Sequence, residues 1–85
     1  MTINPFAVMQ EEFDHSGIVF NPDHNRVMTL NPSGVTLWKA FEKGMSVEQA
    51  ALELEKEFDV DSATARKDAR AFAETLCAKG LLNME

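Results

Sequence analysis

Basic side chains are scarce in this sequence: 8 Lys and Arg stand against 14 Asp and Glu, for a net charge of −6. DNA and RNA are polyanions whose binders carry basic surface, so general nucleic-acid binding is disfavoured. Anionic membrane surfaces are disfavoured on the same ground. The one cysteine, Cys77, has no partner for an internal disulfide. The four glycines fall in expected turns or helix ends, which leaves no Gly-rich loop to cradle a phosphate. No apolar run approaches the length of a membrane span. The opening "MTINPFAVMQEEF" lacks the basic region and apolar run of a signal peptide. The expected location is the cytoplasm, and no cofactor is expected.

The chain has 85 residues, 45% apolar and 26% charged, the balance of an ordinary globular protein. This length predicts a single domain over residues 1–85. A domain this small buries only about 60% of its unfolded surface. It has little room for a deep active site with supporting shells, and an independent enzyme is not expected.

The N-terminal part carries strand signals and the C-terminal part helix signals. "FAVMQEEF" at 6–13 reads as extended, "DHSG" at 14–17 as a turn, and "IVFN" at 18–21 as a β-branched and aromatic strand. "NPDHN" at 21–25 reads as a second turn, with Pro22 at its first central position, and "RVMTL" at 26–30 as a third strand. Two short connections between three strands predict an antiparallel meander.

At Asn31 the period changes. Asn31 reads as an N-cap and Pro32 as the first helical residue of a helix over about 32–43, carrying Val35, Leu37, Trp38 and Phe41. Gly44 ends it. Ser46 and Gln49 form a capping box for a second helix, whose stripe is Val47, Ala50, Ala51, Leu54 and Phe58. Asp61 or Ser62 caps a third helix with the stripe Ala65, Ala69, Phe72, Ala73 and Leu76, closed by Gly80. Leu81 and Leu82 are expected to fold back onto the core. The predicted class is α+β: a three-stranded antiparallel sheet followed by three helices, a winged helix-turn-helix-like domain with its strands first.

Few residues suggest chemistry. Asp14, His15, Asp23 and His24 are of metal-ligand type. They sit in predicted turns, where polar residues are expected anyway, and no helix holds them at ligand spacing, so no metal site is expected. Cys77 has no neighbouring histidine to activate it and reads as an inert, buried thiol. Arg66, Lys67 and Arg70 lie where a helix-turn-helix protein reads DNA, but Asp61, Asp68 and Glu74 offset their charge, and a solvated face is the plainer reading. Trp38 and Phe41 read as core.

The third strand stands out. In a meander of three it has one paired and one free edge, and "RVMTL" carries no proline and one charge to defend that edge. A free edge invites an extended peptide to add as a further strand, with Ala65, Ala69 and Phe72 of the third helix as an apolar wall. Coverage by the chain's own helix or by a second subunit is the competing reading.

The run "GIVFNPDHNRVMTLNPSGVTLWKAFEKGMSVEQAALELEKEFDV" resembles the PqqD family. The carriers are Leu30-Asn31-Pro32-Ser33-Gly34, Trp38, Gly44 before "MSVEQAA", Phe58-Asp59-Val60 and the closing "KGLL" at 79–82. The resemblance covers about residues 13–82. It implies a small winged-helix-like peptide chaperone with no catalytic residues. Such a chaperone holds the leader of a ribosomally made precursor peptide and presents it to a modifying enzyme, often a radical S-adenosylmethionine protein. It further implies that the leader adds beside the third strand, which assigns peptide contacts to Arg26, Val27, Met28, Thr29 and Leu30. On the third helix it assigns them to Ala65, Arg66, Ala69 and Phe72. The chain is expected as a monomer or homodimer. The competing functions are a DNA-binding winged-helix regulator and a small homodimeric structural subunit.

Overall fold

The computed structural model describes residues 2–21 and 26–83. Its elements run β1 (Thr2–Ile3), β2 (Val8–Glu11), β3 (Gly17–Asn21), β4 (Arg26–Leu30), α1 (Pro32–Glu42), α2 (Val47–Glu57), α3 (Ser62–Ala78) and β5 (Leu82–Asn83). The meander expected from the sequence is β2–β3–β4, in that spatial order and antiparallel throughout. Of the turn read at 21–25, Asn21 ends β3, and residues 22–25, with Pro22, Asp23 and His24, lie outside the described residues.

A second sheet was not anticipated. β1 and β5 pair antiparallel, Thr2 with Asn83 and Ile3 with Leu82. The Asn4 N–H donates to the Leu81 carbonyl at 2.8 Å. Two-residue strands carry almost no periodic signal, so only the fold brings these ends together. Leu81 and Leu82 are buried, as their apolar character predicts.

The β2–β3 connection is a three-residue hairpin loop. His15 donates its N–H to the Glu12 carbonyl, Glu12 donates its own to the Ser16 carbonyl, and His15 lies at φ 70°. This loop type places one residue in the left-handed region, a position usually held by glycine. Asp14 accepts hydrogen bonds from the Ser16 N–H and hydroxyl, which holds its carboxyl below the usual range.

The helix starts follow their caps. Asn31 Oδ1 accepts from the Gly34 N–H at 2.8 Å, and Asp61 Oδ1 accepts from the Thr64 N–H at 2.7 Å. Ser46 and Gln49 make the reciprocal capping box. The Leu-Asn-Pro-Ser-Gly corner now has a physical account. A Cβ on Gly34 would lie 3.1 Å from Asn31 Oδ1 and 3.3 Å from Leu30 Cβ. Glycine at 34 thus spares the tight strand-to-helix corner a crowded contact.

One core joins all layers. Val19 and Leu30 from the sheet meet Val35, Leu37, Trp38 and Phe41 of α1. Ala50, Ala51 and Leu54 of α2 and Ala65, Ala69, Ala73 and Leu76 of α3 complete it. Gly17 lets the sheet approach α1: a Cβ there would come within 2.8 Å of Val35 Cγ2. Trp38 is fully buried, and its Nε1 finds no hydrogen-bond partner among the described residues.

Candidate functional site

β4 lies at the edge of its sheet: among the described residues it pairs with β3 alone. Which of its main-chain groups face outward follows from the register. Antiparallel strands alternate between pairs that exchange both hydrogen bonds and pairs that exchange none. The Glu12 N–H donates to the Ser16 carbonyl across the hairpin, so Glu12 faces β3, and two and four residues earlier Gln10–Ile18 and Val8–Phe20 are the bonded pairs between β2 and β3. Gly17, Val19 and Asn21 therefore direct their groups to β4, toward Leu30, Met28 and Arg26. Val27 and Thr29 are left pointing their N–H and C=O groups away from the sheet.

Beside this edge runs a cleft of about 620 Å³. Val19, Asn21, Val27 and Met28 line it from the sheet. Thr75, Ala78, Lys79 and Leu81 line it from the end of α3 and the turn that follows. Asn21, only 5% exposed, donates from Nδ2 to the Lys79 carbonyl at 3.0 Å and ties the last turn of α3 to the end of β3. The lining is apolar apart from Asn21, Thr75 and Lys79, which suits an extended segment whose alternate side chains point inward.

The residues implicated by sequence divide sharply here. Arg26, Val27, Met28, Thr29 and Leu30 do form the edge strand, but in different roles. Leu30 is 4% exposed and belongs to the core, Met28 is half-buried toward the cleft, and Val27 and Thr29 are exposed. On α3, Ala65 and Ala69 lie elsewhere than the expected wall. Both are fully buried in the core, on a helix that packs chiefly against α2. Phe72 stacks on Phe41 with ring centroids 6.3 Å apart. Arg66 is exposed, but twelve residues before Ala78 in the helix places it about 18 Å away along the axis. The wall beside β4 is Thr75, Ala78 and Lys79. These share one face at i, i+3 and i+4, a spacing present in the sequence but made of small and polar residues that no hydrophobic pattern selects.

Other places of chemical interest are accounted for. Among the described residues no group of three or more His, Cys, Asp and Glu could hold a metal ion. A second cleft of about 370 Å³ lies between the β2–β3 hairpin and α1–α2. Its charged groups include Glu11, which accepts a hydrogen bond from Lys39. That ammonium holds the Glu11 carboxyl below its ordinary range. Cys77 is half-buried against the core. No described helix is long and apolar enough to cross a membrane.

The fold matches solved proteins along all or nearly all of its length. "TbiB1 in Complex with the TbiA(beta) Leader Peptide" superimposes with a TM-score of 0.86 at 25% identity, covering 100% of this chain and 98% of that one. "Lasso peptide synthetase B1 complexed with the leader peptide" gives a TM-score of 0.78 at 19% identity, over 93% of this chain and 92% of that one. The second likeness is one of fold. No curated protein matches the chain. The model of the family described as "Coenzyme PQQ synthesis protein D (PqqD)" matches residues 16–82, which spans β3 through the first residue of β5. The chain belongs to the PqqD family.

Proposed function

We propose that this chain is a non-catalytic peptide chaperone that binds the leader of a ribosomally made precursor peptide by strand addition to β4. It then presents the peptide to a modifying enzyme such as a radical S-adenosylmethionine protein. The observation that carries this reading is the open β4 edge, with the main-chain groups of Val27 and Thr29 directed outward beside the cleft. Family membership and a neighbour solved with a leader peptide support it.

The magnitudes say how the work is divided. Val27 and Thr29 offer two N–H and two C=O groups. At about 1 kcal/mol net per hydrogen bond, the edge alone gives roughly 4 kcal/mol, equivalent to a millimolar dissociation constant. Burial of one or two apolar guest side chains against Val19, Met28, Ala78 and Leu81 adds about 2–3 kcal/mol each. The edge sets the direction of the guest, and the cleft supplies affinity and selectivity. In this assignment Arg26 to Leu30 form the rail and Thr75, Ala78 and Lys79 the facing wall. Ala65, Ala69 and Phe72 keep that wall in place through the core.

Titration of the isotope-labelled chain with leader peptides encoded beside it, followed through amide shifts, tests the reading. Shifts should concentrate at Val27–Leu30 and at Thr75, Ala78 and Lys79. Shifts confined to the exposed Arg66–Arg70 face, or binding of random duplex in a gel-shift assay, would favour the DNA-binding alternative.

A further inference from the structure

The cleft beside β4 has an apolar middle and a charged end. Val19, Met28, Ala78 and Leu81 line the middle, and Lys79 is the one charged residue in the lining among the described residues. Lys79 is exposed, and its ammonium has no ion-pair partner among the described residues. The Lys79 carbonyl accepts from Asn21, and Asn21 stands opposite Arg26. Lys79 therefore sits at the Arg26 end of β4. The chain as a whole carries a net charge of −6 and repels anions at long range. Against that background an acidic guest side chain finds one favourable place in the cleft.

We propose that Lys79 determines the specificity of this cleft by selecting a guest with an aspartate or glutamate two positions from its apolar anchor. The inference rests on the strand-addition reading above and goes on to name the chemistry of the guest. The spacing follows from the register. Val27 and Thr29 belong to the exposed face of the sheet, whereas Met28 packs toward the core. Residues paired across neighbouring strands turn their side chains to the same face, and successive residues alternate. A guest residue opposite Met28 therefore enters the apolar middle. The next guest residue on that face stands two positions along, opposite Arg26, at the Lys79 end. An ammonium has three donors and no acceptor, so a carboxylate satisfies it, and exclusion of water by the guest strengthens the pair. A basic side chain there meets like charge, and an apolar one strips water from the ammonium without replacing it. In an antiparallel guest the acidic residue follows the apolar one; in a parallel guest it precedes it.

The test is calorimetric titration of the full chain with the leader peptide encoded beside it, and with variants of that peptide in which each Asp or Glu is changed to Asn or Gln. One such change, two positions from an apolar residue whose truncation to Ala also weakens binding, should cost about tenfold, between the few-fold of an exposed pair and the hundredfold of a buried charged hydrogen bond. Lys79→Gln should lose about the same factor and become indifferent to that amide change. Lys79→Glu should lose about 30-fold or more through like-charge repulsion, and recover to within about threefold when the same acidic residue of the leader is changed to Lys. Lys67→Glu makes the same charge change at an exposed position of α3. It lies about 18 Å away along the helix axis, beyond a Debye length, and should hold the leader within about twofold. Affinity that tolerates every amide change, falls equally with Lys67→Glu, or fails to recover in the charge exchange overturns selection by Lys79 and leaves strand addition standing. So does a Lys79→Glu variant whose one effect is a lower melting temperature, the mark of a lysine that serves the C-terminal end of α3. A leader that does not bind the unaltered chain overturns the peptide-holding reading and this inference with it.

Discussion

Proline substitution along β4 separates two kinds of main-chain group one residue at a time. The Met28 N–H belongs to the bonded pair with Val19, whereas those of Val27 and Thr29 point outward. Proline removes the N–H and is tolerated in a sheet only where that N–H faces away from a partner strand. Thr29→Pro should therefore leave the β3–β4 ladder intact while deleting one donor at the open edge. Loss of that hydrogen bond costs about 1 kcal/mol, and a guest carbonyl left unsatisfied in a desolvated groove adds about 1–3 kcal/mol. The sum, roughly 2–4 kcal/mol, weakens leader binding about 30- to 1,000-fold. Val27→Pro should behave alike. Met28→Pro should instead unfold the hairpin and lower the melting temperature sharply. Calorimetric titration of leader peptide, with far-UV circular dichroism and thermal melts of each variant, reads both effects. Undiminished leader affinity in Thr29→Pro and Val27→Pro, with both proteins folded, would refute strand addition at β4.

Four further outcomes are expected. Ala78→Trp should fill the exposed cleft wall and abolish leader binding in a titration with little change in melting temperature, whereas Ala69→Trp, at a fully buried site, should not fold. Gly17→Ala should destabilise the protein by about 1–3 kcal/mol in urea unfolding, the usual cost of overpacking, because its Cβ would collide with Val35 and approach Met9 Sδ to 3.1 Å. His15→Gly should raise stability by up to about 1 kcal/mol, since it relieves a non-glycine residue held in the left-handed region. Acidification should destabilise. Glu11 is held below its ordinary 4.5 by the Lys39 hydrogen bond and charge, and Asp14 and Asp61 below 3.8 by hydrogen bonds from Ser16 and Thr64. Carboxyls lowered in the folded state stabilise above their unfolded values and lose that contribution as pH falls through their folded ones. Melting temperature should therefore be level from about pH 7 to 5 and fall below about pH 4.5, and a rise on acidification would contradict the assignment.

Local chemistry determined much of this protein in advance. The helix starts at Asn31, Ser46 and Asp61 depend on side chains reaching amides three residues away, so they are legible in the chain itself. The buried stripes of α2 and α3 follow from helical spacing, and the edge position of "RVMTL" follows from short connections between three successive strands. What the sequence could not decide were relations between distant segments. The pairing of β1 with β5 joins residues some eighty positions apart through two short strands. The cleft wall fell to Thr75, Ala78 and Lys79, and not to Ala65 and Ala69, because α3 buries its alanine face in the helical core and lines the cleft beside the sheet with its last turn. An apolar periodicity marks which side of a helix is dry; which neighbour makes it dry depends on packing angles and chain closure, and only the tertiary structure contains those.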